Sequence, residues 1–135
     1  MSKPTISFSP RVLLLLPSLL LCANAIAAAP QVNPARGCRH NPARVAPCFT
    51  LEGRVFLANG TPAVRIASGK RLLGVVPAEQ EIMPEALRES LGWDHATLAT
   101  LRVCPFTRAR AGEMQQVCVE SATDLRQTSA LAKPR

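Results

Sequence analysis

The chain has 135 residues, a formal net charge of +7, no tyrosine, one tryptophan and four phenylalanines. That length accommodates one ordinary domain. So few aromatic rings leave little on which to stack single-stranded bases, each worth about 1–3 kcal/mol in proteins that bind them. Nucleic acid is therefore a disfavoured partner.

The N-terminus carries an address. Lys3 and Arg11 flank a short basic start, Val12–Leu21 is an almost unbroken leucine run, and small residues follow at 23–29. Charge, then apolar core, then small residues is the order of a secretory signal peptide. A spanning helix needs about 20 apolar residues, whereas this stretch holds roughly 15 and contains Pro17. Residues 1–27 are read as the leader, cut after Ala25 or Ala27. A rival lipid anchor at Cys22 is disfavoured, because Leu21 stands where that pathway needs a small residue. The mature protein is expected in the periplasm or outside the cell, with no transmembrane span, where cysteines oxidise.

Loss of Lys3 and Arg11 with the leader leaves 14 basic and 9 acidic residues, a charge of +5, and twelve of the basic residues are arginine. Guanidinium groups grip carboxylates and phosphates bidentately. Anionic envelope ligands such as glycans or lipid head groups thus become candidate partners, although a mildly basic surface also keeps an exported protein soluble.

Residues 28–47 are rich in Pro, Ala, Arg and Asn, and Asn-Pro-Ala-Arg occurs at 33–36 and 41–44. Two copies of four residues are too short for a repeat architecture. Proline restricts itself and its predecessor, so this segment reads as an extended arm. The folded domain is expected over 48–126, and 127–135 reads as a flexible tail.

Within the domain, Phe49–Ala58 alternates. Phe49, Leu51, Gly53, Val55 and Leu57 point one way, Thr50, Glu52, Arg54 and Phe56 the other, which predicts a half-buried strand. Gly53 suggests a bulge or bend in it. Asn59-Gly60 offers the positive φ angles of a tight hairpin turn. Ala63–Ala67 returns with Val64 and Ile66 inward, Ser68-Gly69-Lys70 turns, and Arg71–Val76 is apolar enough for a third strand covered on both faces. The period then changes. Pro84 and Glu85 suit a helix start and Gly92 its stop, with Met83, Leu87 and Leu91 on one stripe. Ala99–Cys104 and Met114–Ser121 read as the last two strands, with a brief helical turn as an option for Asp94–Leu98. A mostly β fold of order β-β-β-α-β-β results, either a small OB-like barrel or an open antiparallel meander sheet with one packed helix.

Four cysteines follow the leader. If the last two strands pair with Cys104 opposite Cys118, then Arg102 falls opposite Glu120 and Val103 opposite Val119. That agreement makes Cys104–Cys118 the leading bridge, with Cys38–Cys48 closing the arm, while the other connectivities stay open. Closing a loop of roughly 15 residues stabilises by about 3 kcal/mol. Cys38, His40 and Cys48 could offer soft ligands, but the closely spaced cysteine pairs of structural zinc sites are missing. No metal and no cofactor is expected.

Motifs for catalysis are absent: no phosphate-cradling glycine loop, no Gly-x-Ser-x-Gly elbow, no His-Glu-x-x-His and no Cys-x-x-Cys. Asp94-His95 reads as a solvated loop pair, and Glu79, Glu81, Glu85 and Glu89 as a solvated charged approach and helix face. An enzyme is not expected.

Gly53-Arg54-Val55-Phe56, Asn59-Gly60-Thr61-Pro62, Lys70–Val75, Val103-Cys104-Pro105 and Val117–Ser121 together resemble a group of small exported bacterial proteins of uncharacterised function. The resemblance covers about Cys48 to Leu125. It implies an export-adapted β domain with paired cysteines and supplies no catalytic residue. That group often carries an aromatic residue after the Arg-Ile of the second strand, where this chain has Ala67.

The expectation is a non-enzymatic binding module, with Arg54, Arg65, Lys70 and Arg71 presenting charge to an anionic envelope ligand. The same four could equally be ordinary charges guarding strand edges. The competing expectation is a structural or protein-interaction component of the envelope.

Overall fold

The computed structural model describes residues 36–76 and 82–129. The leader, Cys22, residues 28–35 of the arm, Glu79, Glu81 and residues 130–135 of the tail lie outside the described residues. Five strands and one helix follow in the expected order: β1 (Phe49–Leu57), β2 (Val64–Ser68), β3 (Arg71–Val75), α1 (Glu85–Glu89), β4 (His95–Pro105) and β5 (Gln115–Ser129). The strands close on themselves in the order β1-β2-β3-β5-β4. Pairing is antiparallel except between β3 and β5, which run parallel. This is a mostly β, OB-like ring with its helix between the third and fourth strands.

Alternation builds the interior. Val55, Ile66, Leu73, Leu101, Val103, Val117 and Val119 are buried and form one cluster. Leu87, the sole fully buried residue of α1, joins them with Met83, and Leu91 packs against the same cluster. The expected Met83–Leu87–Leu91 stripe is therefore core. The helix itself ends at Ser90, two residues before Gly92. Ser90 already closes its last turn, because its hydroxyl donates to the Leu87 carbonyl at 2.7 Å.

Gly53 carries no bulge against β4, since the β1–β4 register runs unbroken from Phe49↔Val103 to Val55↔Thr97. Its role is close approach: a Cβ there would stand 2.7 Å from Ile66 Cγ2. The β1–β2 connection is a longer loop than a tight turn, closed by Ala58 N–H donating to Ala63 O, and only Gly60 takes a positive φ. Leu72 departs from the expectation that β3 is covered on both faces, being 41% exposed.

The last two strands extend beyond their sequence-based limits. β4 begins at His95, so no helical turn forms there, and β5 runs to Ser129, into the stretch read as tail. Two register shifts account for part of the greater length of β5, the rest being Gln115 and Gln116, which pair with β3. Between Arg102↔Ser121 and Val103↔Val119, and between Leu98↔Arg126 and Thr100↔Thr123, β5 carries one more residue than β4. Each extra residue bends the strand and steepens its twist, which carries β5 around the ring.

The cysteines pair differently from the leading expectation. Cys104 and Cys118 do lie opposite each other, as do Val103 and Val119. The bonds, however, are Cys38–Cys118 and Cys48–Cys104, not Cys104–Cys118 and Cys38–Cys48. The reason is the other edge of β4. β1 pairs there with Phe49 opposite Val103, which brings the preceding residue, Cys48, beside Cys104, Cα atoms 4.1 Å apart. The described part of the arm, residues 36–47, is not a self-closed loop but lies against β4 and β5. Val45 N–H donates to Pro105 O, and Ala43 N–H donates to the Asn41 side chain in a local turn. Cys38, Ala43, Cys104, Phe106 and Cys118 form a second buried cluster under it. Arg102 still pairs with Glu120 at 3.1 Å although the bulge sets it opposite Ser121, and Arg39 of the arm binds the other carboxylate oxygen at 2.9 Å.

Candidate functional site

Strand direction decides which loops share an end. β1, β3 and β5 run one way and β2 and β4 the other. The turn at Gly69-Lys70 and the 106–114 loop therefore meet where β1, β3 and β5 begin. A cleft of about 260 Å³ opens between them, lined by Lys70, Arg71, Leu72, Arg110, Glu113 and Gln115 among others. Three cations face one carboxylate there. Arg110 and Glu113 are 3.9 Å apart and both largely exposed, a separation at which surface pairs contribute about 0–1 kcal/mol and are screened by salt.

Arg71 is the anchored member. Its guanidinium lies 5.0 Å from the centre of the Phe49 ring, and Nη2 donates to Gln115 Oε1 at 2.9 Å. Gln115, nearly buried, in turn donates to Thr107 O at 2.9 Å, while Thr107 Oγ1 accepts from Gln116 N–H at 2.9 Å. The chain Arg71–Gln115–Thr107 thus fixes the 106–114 loop against β3. A guanidinium has five N–H donors and this one commits one to Gln115, so it keeps donors for an anion.

The four sequence-predicted residues separate into two places. Lys70 and Arg71 share the cleft. Arg54 and Arg65 lie on the outer side of β1 and β2, where Phe56 is opposite Arg65 and Arg54 opposite Ala67. Arg54 stacks 5.5 Å from the Phe56 ring. Arg65 fastens the β1–β2 loop, donating to Asn59 O at 2.9 Å and Pro62 O at 3.3 Å. Arg110, Gln115 and Phe49 were not singled out by sequence as site residues. The Arg108/Arg110 spacing in a loop was the available signal, and only ring closure says which strand that loop faces.

A larger hollow of about 600 Å³ lies over β1, β4 and β5, formed beside the bulge at Asp124, whose φ is 55°. Glu52, Asp124 and Arg126 line it with Leu98, so carboxylates outnumber cations and the hollow does not suit an anion.

Asp94 and His95 are more than a solvated pair. Nδ1 of His95 is 2.8 Å from Asp94 Oδ1, and Nε2 is 2.9 Å from the Ser90 carbonyl. Both ring nitrogens face acceptors, an arrangement that suits the doubly protonated ring. The Ser90 carbonyl and then the Asp94 carboxylate raise the His95 pKa, and the imidazole lowers that of Asp94. Ser90 Oγ donates to Leu87 and accepts from Thr97, so the imidazole does not activate it as a nucleophile. This group closes the end of α1 onto β4.

Sulfurs of Cys48 and Cys104 and a Glu120 oxygen lie within 4.8 Å of one another. Both sulfurs are bonded to each other, which removes them as metal ligands in this state. Among the described residues, no helix is long and apolar enough to cross a membrane. Compared with known proteins, the chain matches no family, no curated protein and no solved structure.

Proposed function

We propose that the protein is a non-enzymatic exported binding module, periplasmic or secreted, that holds an anionic envelope ligand in the cleft between the β2–β3 turn and the 106–114 loop. The carrying observation is the convergence of Lys70, Arg71 and Arg110 on one hollow, with Arg71 pre-positioned by Phe49 and Gln115. Pre-positioning lowers the ordering cost of binding. Exposed Leu72 on the same wall adds an apolar contact, which favours an anion carrying a hydrocarbon or sugar portion. Two disulfides fit an oxidising, exported environment.

The test is retention on sulfated dextran and on phosphatidylglycerol vesicles at low salt. Lys70→Ala with Arg110→Ala is expected to weaken retention by about tenfold, the loss of one or two phosphate-type contacts. Arg54→Ala should leave it within about twofold. Equal losses from both variants would refute the assignment to this cleft.

A second reading, a protein-interaction component of the envelope, rests on Trp93. It is the chain's only tryptophan and is 68% exposed after α1, and exposed tryptophans often anchor protein interfaces. A stoichiometric protein partner recovered by crosslinking, and lost with Trp93→Ala, would favour it.

A further inference from the structure

Cys104 has two bonding partners within reach and uses one. On β4 it stands between Cys48, just before β1, and Cys118 on β5, its direct opposite. Opposed residues of an antiparallel pair have Cα atoms about 4.5–5.5 Å apart, inside the roughly 4.4–6.8 Å that a disulfide spans. Cys38 is bonded to Cys118 across a Cα separation of 5.5 Å, and all four cysteines belong to one apolar cluster. Cys38, Cys104 and Cys118 are buried, while Cys48 is the partly buried member and so the most accessible of the four.

We propose that these four cysteines are an exchangeable set: a small external thiol entering at Cys48 equilibrates the two arm-to-barrel bonds with the pairing Cys104–Cys118 and Cys38–Cys48, in which the arm is unfastened. The steps balance without an oxidant. An external thiolate attacks Cys48 sulfur, forming a mixed disulfide and releasing the Cys104 thiolate. Cys104 attacks Cys118 sulfur, forming the cross-strand bond and releasing the Cys38 thiolate. Cys38 attacks the mixed disulfide at Cys48, closing the arm loop and returning the external thiolate. Two disulfides enter and two leave, and the thiol acts as a catalyst. Before exchange the arm is bolted across β4 and β5. Afterwards only non-covalent contacts hold it there, among them the Arg39–Glu120 pair and the Val45–Pro105 hydrogen bond, so the apolar face around Phe106 can be uncovered.

Trypsin places each cysteine on its own peptide, 37–39, 45–54, 103–108 and 111–126, which makes connectivity directly readable by mass. The exported protein, or the full chain with Cys22→Ser, is incubated with sub-stoichiometric reduced glutathione, quenched in acid and mapped. Expected is a partial fall of the 45–54/103–108 pair to a steady ratio, with matched appearance of 103–108/111–126 and 37–39/45–54 and the total disulfide content unchanged, because the thiol sets the rate of exchange and not its equilibrium. Persistence of the original pairs until net reduction, or equal appearance of the third connectivity, would overturn the proposal. A second variant, Cys38→Ser with Cys48→Ser, should form Cys104–Cys118 in air. Free thiols at both positions in a protein that keeps its β circular dichroism would count against it equally.

Discussion

At the residue scale, His95 has the clearest consequence. Its folded pKa is raised above its ordinary 6.5 by the Ser90 carbonyl and the Asp94 carboxylate, and that of Asp94 is lowered from 3.8 by the imidazole. A raised histidine contributes stability that is complete below its unfolded pKa and lost as pH rises through the folded one. A lowered carboxylate contributes above its unfolded pKa and loses that contribution as pH falls through the folded one. The two overlap between about pH 4 and 6.5. The gap in melting temperature between the wild type and His95→Ala is expected to be widest there and to shrink above neutral pH. A gap that is flat across pH would show that the ring contributes by packing alone. Adjacency in sequence hid this interaction: Asp94 and His95 were visible, but Ser90, the first partner, depends on how α1 ends.

At the scale of elements, the arm and its bonds carry the main lesson. Cys38–Cys118 spans 80 residues and Cys48–Cys104 spans 56. In the chain-entropy account each, taken singly, stabilises by about 4–4.5 kcal/mol, against about 3 for a short local loop. Replacing Cys38 and Cys118 together with alanine is expected to cost about 2–4 kcal/mol in urea unfolding, with the β spectrum retained. A loss under about 1 kcal/mol would mean that the arm's non-covalent contacts suffice. The alternating patterns of β1 and β2 and the stripe through Leu87 were legible because local period reports which face is buried. The disulfide pairing was not. Strand alternation revealed Cys118 opposite Cys104, but nothing local announces that β1 arrives along the opposite edge of β4. The reading of β5 stopped at Ser121 because the bulge at Asp124 interrupts the alternation by which a strand is recognised.

At the scale of the whole molecule, the sequence indicated the element order, and the placement of basic residues followed only from closure of the ring. Arg54, Arg65, Lys70 and Arg71 looked like one charged surface when strands were counted in order. Once closed, the ring turns Lys70 and Arg71 toward Arg110 and leaves Arg54 and Arg65 elsewhere.

Ring closure also has a mechanical consequence. β3 and β5 meet over three paired positions, Leu73↔Gln115, Gly74↔Gln116 and Val75↔Val117, whereas β4 and β5 share ten. The shortest zip is where a cylinder parts first, so backbone amides along this seam should exchange with deuterium sooner than those of β4. Lys70 and Arg71 stand on one lip of the seam and Arg110 on the other. An anion held by both lips would act as a stitch, and sulfated dextran is expected to slow exchange at residues 73–75 and 115–117 before any other segment. Protection spread evenly over the strands would mean that the ligand does not bridge the gap.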